Sequence, residues 1–219
     1  MNNLTLVIGN KNYSSWSLRA WLVMTQFKVQ FQEILIPLDV AETPALMDKY
    51  SPNRRVPVLH IGKLSVWDSL AICETVNERF LQGAGWPVNP DLRAVGRSAC
   101  AEMHSGFSAL RAAMPMNCRR DVKGFRPDAS TQADIQRIHT LLSDCLTRSD
   151  GPFLLGRFSI ADACFAPVAI RLRGYGIESP APVAAWIERL LELPAMKTWL
   201  NDARNEPAII DAEEVPDQP

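Results

Sequence analysis

The chain has 219 residues, 47% apolar and 21% charged, with 23 basic against 24 acidic residues for a net charge of −1. That length can bury a sizeable core in one large domain or two smaller ones, and a near-neutral balance without a basic patch excludes nucleic acid as an expected partner. No apolar run approaches the roughly 20 residues that cross a bilayer, and the short polar N-terminus lacks the regions of a secretory signal, so no membrane is expected as a partner.

Leu4 to Ile8 is an apolar, β-rich run closed by Gly9-Asn10 and reads as a buried strand. A helix follows from Trp16 to Phe27, with Leu18, Trp21, Leu22 and Thr25 at helical spacing, and Phe31 to Ile36 returns to strand character. This β-α-β order implies parallel strands. Thr43-Pro44 opens a short helix ending near Tyr50. Val56 to Ile61 and Leu64 to Trp67, joined by Gly62-Lys63, read as a hairpin. Pro57 cannot donate to a ladder, and its place at the start of that strand suggests a cis bond to Val56. Asp68 or Ser69 caps a helix carrying Leu70, Cys73, Val76, Asn77 and Phe80.

The stretch from Gln82 to Asp91, with two glycines and two prolines, reads as a linker. Residues 1–82 then form a β-α-β-α-β-β-α domain, residues 83–91 the linker and residues 92–219 an all-helical domain. Leu92, Val95, Ala99, Met103, Phe107, Leu110 and Met114 share one stripe of a long helix that Pro115 ends. Asp128 or Ser130 opens the next helix. Ser159-x-x-Asp162 is the acid form of a capping box, which makes Asp162 a folding residue. Two further helices are expected around Trp186 and Trp199, and the acidic, proline-bearing tail from about residue 207 is expected to be loosely held. The five cysteines, Cys73, Cys100, Cys118, Cys145 and Cys164, never form C-x-x-C and suit a reduced, cytoplasmic compartment. His60, His104 and His139 are isolated, and no metal motif is visible.

Asn12-Tyr13-Ser14-Ser15-Trp16-Ser17-Leu18-Arg19 joins the first strand to the first helix. A helix start leaves four backbone N–H groups unpaired and carries partial positive charge. Such a site holds an anion or lowers the pKa of a thiol lying against it. The plainer alternative is that Ser14, Ser15 or Ser17 is simply a cap.

These motifs, in this order, resemble the cytosolic glutathione S-transferases from Leu4 to about Glu206. Ser14 to Arg19 looks like the Ser-Ser-Cys-Ser-x-Arg stretch of the zeta class, the class of maleylacetoacetate isomerase. Val56-Pro57 looks like the family's cis-proline, and Trp67-Asp68-Ser69-Leu70-Ala71-Ile72 stands at its acid-Ser-x-x-Ile motif. Gly156-x-x-Ser159-x-x-Asp162 matches the helical domain's capping box. The resemblance implies an α/β domain of thioredoxin-like fold followed by an all-α domain, with glutathione as co-substrate and a homodimer as the assembly. It places glutathione on Arg55, Val56, Pro57, Asp68 and Ser69, and its thiol against Ser14, with Ser15 in reserve. A small hydrophobic electrophile would border Trp16, Met103, Phe107 and Met114, although a Met/aromatic helical stripe is as readily core. Trp16 replaces the zeta cysteine, which rules out cysteine-dependent chemistry at that position. The alternatives within this resemblance are a glutathione-dependent cis–trans isomerase and a non-catalytic binding or regulatory protein of the same fold.

Overall fold

The structure, a computed structural model, describes residues 4–219; the polar lead-in before the first strand lies outside the described residues. Strand β1 (Leu4–Ile8), helix α1 (Ser15–Gln26) and strand β2 (Gln32–Leu35) come first, then α2 (Thr43–Tyr50). Strands β3 (Val58–Ile61) and β4 (Leu64–Trp67) form the hairpin, and α3 (Ser69–Phe80) closes the first domain. The sheet order is β2-β1-β3-β4, with β1 parallel to β2 and antiparallel to β3. This is the expected thioredoxin-like arrangement.

The central position of β1 explains its largely apolar sequence, interrupted only by the half-buried Thr5. Leu4, Leu6 and Ile8 face one way into the main core with Leu18, Leu59 and Ile72, while Val7 faces the other way with Ile36, Met47 and Val58. A strand covered on both faces leaves few positions at which a polar side chain meets water.

The helical domain contains α4 (Pro90–Ser105), α5 (Ser108–Ala113), α6 (Ala129–Thr147), α7 (Ile160–Gly174), α8 (Ala181–Leu191) and α9 (Pro194–Asn205), followed by a 3-10 turn at Asp211–Glu213. The single long helix expected through Met114 is two helices. Gly106 leaves α4 in an extended conformation, and Phe107 takes a left-handed φ of 62° before α5 begins. Periodicity carried through the break because both pieces bury the same stripe. Met103, Leu110 and Met114 are fully buried and Phe107 nearly so.

Helix α1 packs against both α3 and α7, so the apolar core runs from one domain into the other. Lys11 adds a polar tie: its ammonium pairs with Glu33 at 2.9 Å and Asp202 at 2.7 Å and lies over the rings of Trp21 and Trp199. The tail expected to be loose also makes specific contacts. The Glu206 carboxylate accepts from the backbone N–H groups of Lys11 and Asn12 at 2.7 and 3.0 Å, and Gln218 N–H donates to the Lys123 carbonyl at 2.8 Å.

Asp162 is fully buried at the start of α7 and accepts from Leu154 N–H, Ser159 N–H, the Ser159 hydroxyl and the Trp186 indole, all at 2.9–3.1 Å. Burial raises its pKa against the pull of those donors. The capping-box expectation holds, and the Leu154 and Trp186 donors extend it into a junction of three segments.

Candidate functional site

The turn after β1 sets the position of everything around it. A Cβ on Gly9 would come within 2.7 Å of the Leu38 side chain and 3.1 Å of the Val56 side chain, so glycine lets the chain pass close to both. The Asn10 carbonyl accepts from Ser14 N–H at 2.8 Å, and the Asn10 side chain accepts from Leu38 N–H at 2.7 Å. Asn12 then anchors the turn to the helical domain through Asn117 at 3.0 Å and Arg119 N–H at 3.1 Å.

Ser14 stands at the N-cap of α1 but does not cap it with its side chain. Its hydroxyl is hydrogen-bonded to the Ser17 hydroxyl at 2.7 Å, and Ser17 Oγ accepts from Gly9 N–H at 3.1 Å. Tyr13, a further hydroxyl beside them, is fully engaged. It donates to Glu214 at 2.6 Å and accepts from Arg119 at 2.8 Å and Ile210 N–H at 3.3 Å. Burial, then the bond to Glu214, raises its pKa.

Two clefts meet at this turn and share the walls Trp16, Arg55 and Val56. The first, about 470 Å³, runs over Pro57, Asp68, Ser69 and His104. The Val56–Pro57 bond is cis, and among the described residues no hydrogen bond occupies the Val56 N–H or C=O. Asp68 has a φ of 74°, a conformation that costs energy for a residue with a Cβ. One of its carboxylate oxygens caps α3 through Leu70 N–H at 2.8 Å and Ala71 N–H at 3.3 Å, and the other lies 3.0 Å from His104 Nε2. Ser69 is 2% exposed, and its hydroxyl has no partner among the described residues. A buried hydroxyl left unpaired is costly, so this one is placed for something other than packing.

The second cleft, about 460 Å³, contains Ser14 and Ser15 at the α1 terminus, Leu38, Met47 and Pro115 as apolar surface, and Arg111, Arg171 and Glu213 as charged groups. Trp16, half-buried between the clefts, forms a wall of both. The Arg19 and Arg111 guanidiniums lie over its ring, 4.3 and 4.7 Å from the centroid, and His104 meets it edge-on at 5.1 Å. Where the resembled stretch carries cysteine, this chain carries a π surface that stabilises cations. Burial, then repulsion from Arg19, pushes the pKa of Arg111 down to about 10. Burial, then repulsion from Arg111 and Arg19, pushes that of Arg171 down to about 9.

Of the residues picked out from sequence, Arg55, Val56, Pro57, Asp68 and Ser69 line the first cleft, Ser14 and Ser15 the second, and Trp16 both. Met103, Phe107 and Met114 line neither. They belong to the core, because the stripe they form turns inward, and only polar groups of the α4–α5 region, His104 and Arg111, reach the clefts. Sequence reasoning missed Arg111 and Arg171. Arg171 did leave a signal, as a charge within the apolar stretch from Ile160 to Leu172. None of the five free, buried cysteines lines either cleft. Among the described residues no cluster of His, Cys, Asp or Glu has the makings of a metal site, and no helix is long and apolar enough to cross a membrane. A larger cavity of about 740 Å³, bordered by Arg173 and Tyr175, shares no wall with the two clefts.

Comparison with known proteins agrees with this geometry. Residues 13–79 match the glutathione S-transferase N-terminal domain, and residues 99–201 match the glutathione S-transferase C-terminal domain. A dichloromethane dehalogenase of Methylorubrum extorquens is 37% identical over 65 residues, covering 29% of this chain and 23% of that protein. Protein IN2-1 homolog A of Oryza sativa subsp. japonica is 28% identical over 159 residues, covering 72% of this chain and 61% of that protein. The matched stretch thus spans less than two thirds of either relative. Among solved structures, a glutathione transferase homolog from Burkholderia, with bound glutathione, superposes with a TM-score of 0.72 at 22% identity, covering 93% of this chain and all of the other. With both of the family's domains matched in order and its fold reproduced over 93% of the chain, this chain belongs to the glutathione S-transferase family.

Proposed function

We propose that the protein is a serine-type glutathione transferase, with glutathione as co-substrate in the first cleft and an electrophile in the second. The observation that carries this reading is the Ser69 hydroxyl, buried and unpartnered at the N-terminus of α3, in the same cleft as the free main chain of Val56. An extended peptide pairs with such a main chain as an added strand. Its γ-glutamyl carboxylate meets the Ser69 hydroxyl and the first N–H groups of α3. Asp68 and His104 flank its ammonium, and Arg55 meets a carboxylate. The solved homolog with bound glutathione supports the choice of ligand.

The sulfur then reaches the junction of the clefts, beside Ser14. Ser17 Oγ accepts from Gly9 N–H and from the Ser14 hydroxyl, and once the Ser14 hydroxyl turns to the sulfur, the Ser17 hydroxyl turns in its place to donate to Ser14. Ser14 then donates a hydrogen bond to the sulfur and keeps its proton, so that the chain of hydroxyls polarises in one direction. The α1 terminus and the Arg19 and Arg111 charges add positive potential and favour the thiolate. That thiolate attacks the electrophilic carbon: the C–S bond forms as the leaving group departs with its bonding pair, and the thiol proton has gone to solvent. The protein works as a homodimer, a reading supported by Trp67, 49% exposed at the cleft end of β4. The five free cysteines support a reducing compartment such as the cytoplasm.

Calorimetric titration with glutathione, followed by turnover of 1-chloro-2,4-dinitrobenzene, tests the reading. Binding and turnover are expected in the wild type. Ser69→Ala should bind glutathione about tenfold or more weakly, as loss of a hydrogen bond to a charged group implies. Absence of glutathione binding refutes the proposal, and binding without turnover leaves a binding protein of the same fold.

A further inference from the structure

Glutathione transfer gives Arg55 and Arg111 a part, but it leaves a surplus of positive charge in the second cleft and no role for Arg171. Three arginines stand on its walls, Arg55, Arg111 and Arg171, against one carboxylate, Glu213. Arg171 is 4% exposed; its Nε donates to the Met114 carbonyl at 2.6 Å and its Nη1 to the Pro167 carbonyl at 3.3 Å. Arg111 donates to the carbonyls of Gly106, at 3.1 Å, and Met103. All four acceptors are neutral main-chain groups. They orient the guanidiniums without neutralising them, and among the described residues neither arginine forms a close ion pair; the carboxylates of Asp134, for Arg111, and Glu213, for Arg171, act on them only from farther away.

Behind the Trp16 wall, Arg19 is 2% exposed and none of its three guanidinium nitrogens has a partner among the described residues. Taking charged groups out of water without counter-charges is expensive, and an anion in this space would offset that cost for several of them together. A wholly neutral occupant would displace water from the arginines and return nothing.

We propose that the second cleft takes a co-substrate with a compact apolar body and a carboxylate, the carboxylate held on Arg111 and Arg171 and the body against Trp16, Leu38, Met47 and Pro115. Calling the occupant a co-substrate rests on the glutathione-transferase reading; the anion site itself rests on the arginines. The cleft volume of about 460 Å³ suits a small ring or short chain and not an extended polyanion. Glu213, brought to the edge of the cleft by the 3-10 turn of the tail, already places one carboxylate in this field. Burial raises its pKa while Arg171 lowers it. The expected hydrophobic electrophile thereby acquires an anionic end.

The test is calorimetric titration of the full chain with 4-nitrobenzoate and with its methyl ester, two unreactive probes of nearly equal shape. A carboxylate held by charged donors should bind about tenfold or more tightly than the ester. Raising the salt should weaken only the carboxylate. Arg111→Met should bring the two affinities together, while Arg111→Lys should keep part of the preference. Should Arg111→Met fail to fold, Ser15→Asp serves instead: it places a negative charge on the same wall, at a helix start that tolerates acid, and should abolish the preference with the arginines intact. An ester bound as tightly as the carboxylate, or a preference unchanged in these variants, overturns the proposal. Glutathione titrated into the same samples separates the two readings. If glutathione fails to bind, the transferase reading falls, while the probe ratio still decides the anion site. If glutathione binds and the ester equals the carboxylate, the anion site alone falls.

Discussion

Replacing Ser14 by alanine is expected to raise the pKa of bound glutathione while leaving its affinity within a few-fold. The perturbation is local. Ser14 N–H donates to the Asn10 carbonyl at 2.8 Å and its own carbonyl accepts from Leu18 N–H at 3.1 Å, and alanine keeps both bonds. Ser17 loses one hydroxyl partner but retains Gly9 N–H at 3.1 Å, so the folding cost should stay near the 0.5–1.5 kcal/mol of an ordinary hydrogen bond, roughly. The missing contact to sulfur matters more. A hydrogen bond to a charged acceptor contributes about 1.5–3 kcal/mol, and at about 1.36 kcal/mol per unit this raises the thiol pKa by roughly one to two units. Turnover near neutral pH should then fall about ten- to a hundredfold and recover in part at higher pH, where thiolate forms unaided. The assay is thiolate absorbance of the bound peptide against pH, beside the pH profile of turnover. A shift in Ser15→Ala with none in Ser14→Ala moves the role one residue along. No shift in either variant refutes activation by serine.

Asp162→Ala should destabilise folding by about 1–3 kcal/mol or more, the cost of leaving buried donors unsatisfied, because four donors lose their acceptor; Ser159→Ala should cost about 1 kcal/mol, as other lost caps do. Urea unfolding measures both, and an unchanged unfolding curve with lost turnover would make Asp162 a catalytic group instead. His139, hydrogen-bonded to Ser179 at 3.0 Å, has its pKa lowered by burial. Below the unfolded value of about 6.5 the unfolded chain holds a proton that the folded one lacks. Its contribution to stability is therefore present above that pH and lost as pH falls through the folded pKa, and His139→Asn should flatten this acid limb in unfolding experiments run across pH. The homodimer predicts sedimentation near twice the chain mass at micromolar concentration; a monomer there counts against a partner at Trp67, and Trp67→Glu should weaken the association.

Much of the fold was legible because it follows from neighbours in the chain. The apolar run Leu4–Ile8, the Asp68 and Asp128 caps and the Ser159/Asp162 box are local devices, and each appears where its spacing placed it. The same holds for Pro57, whose position at the opening of β3 announced its cis bond, and for Ser14 and Ser15 at the start of α1. The Met103, Phe107 and Met114 stripe was legible as a stripe but not as core. Periodicity tells which residues share a face and not what that face meets. The clefts are assembled from residues far apart in the chain: Arg111 and Arg171 are brought to Ser14 by α5 and α7, and the tail reaches back through Glu214 to Tyr13. No local pattern encodes such meetings. They exist only once helices have packed, and packing leaves the guanidiniums of Arg111 and Arg171 on main-chain carbonyls, in the cleft that also holds the serine end of α1.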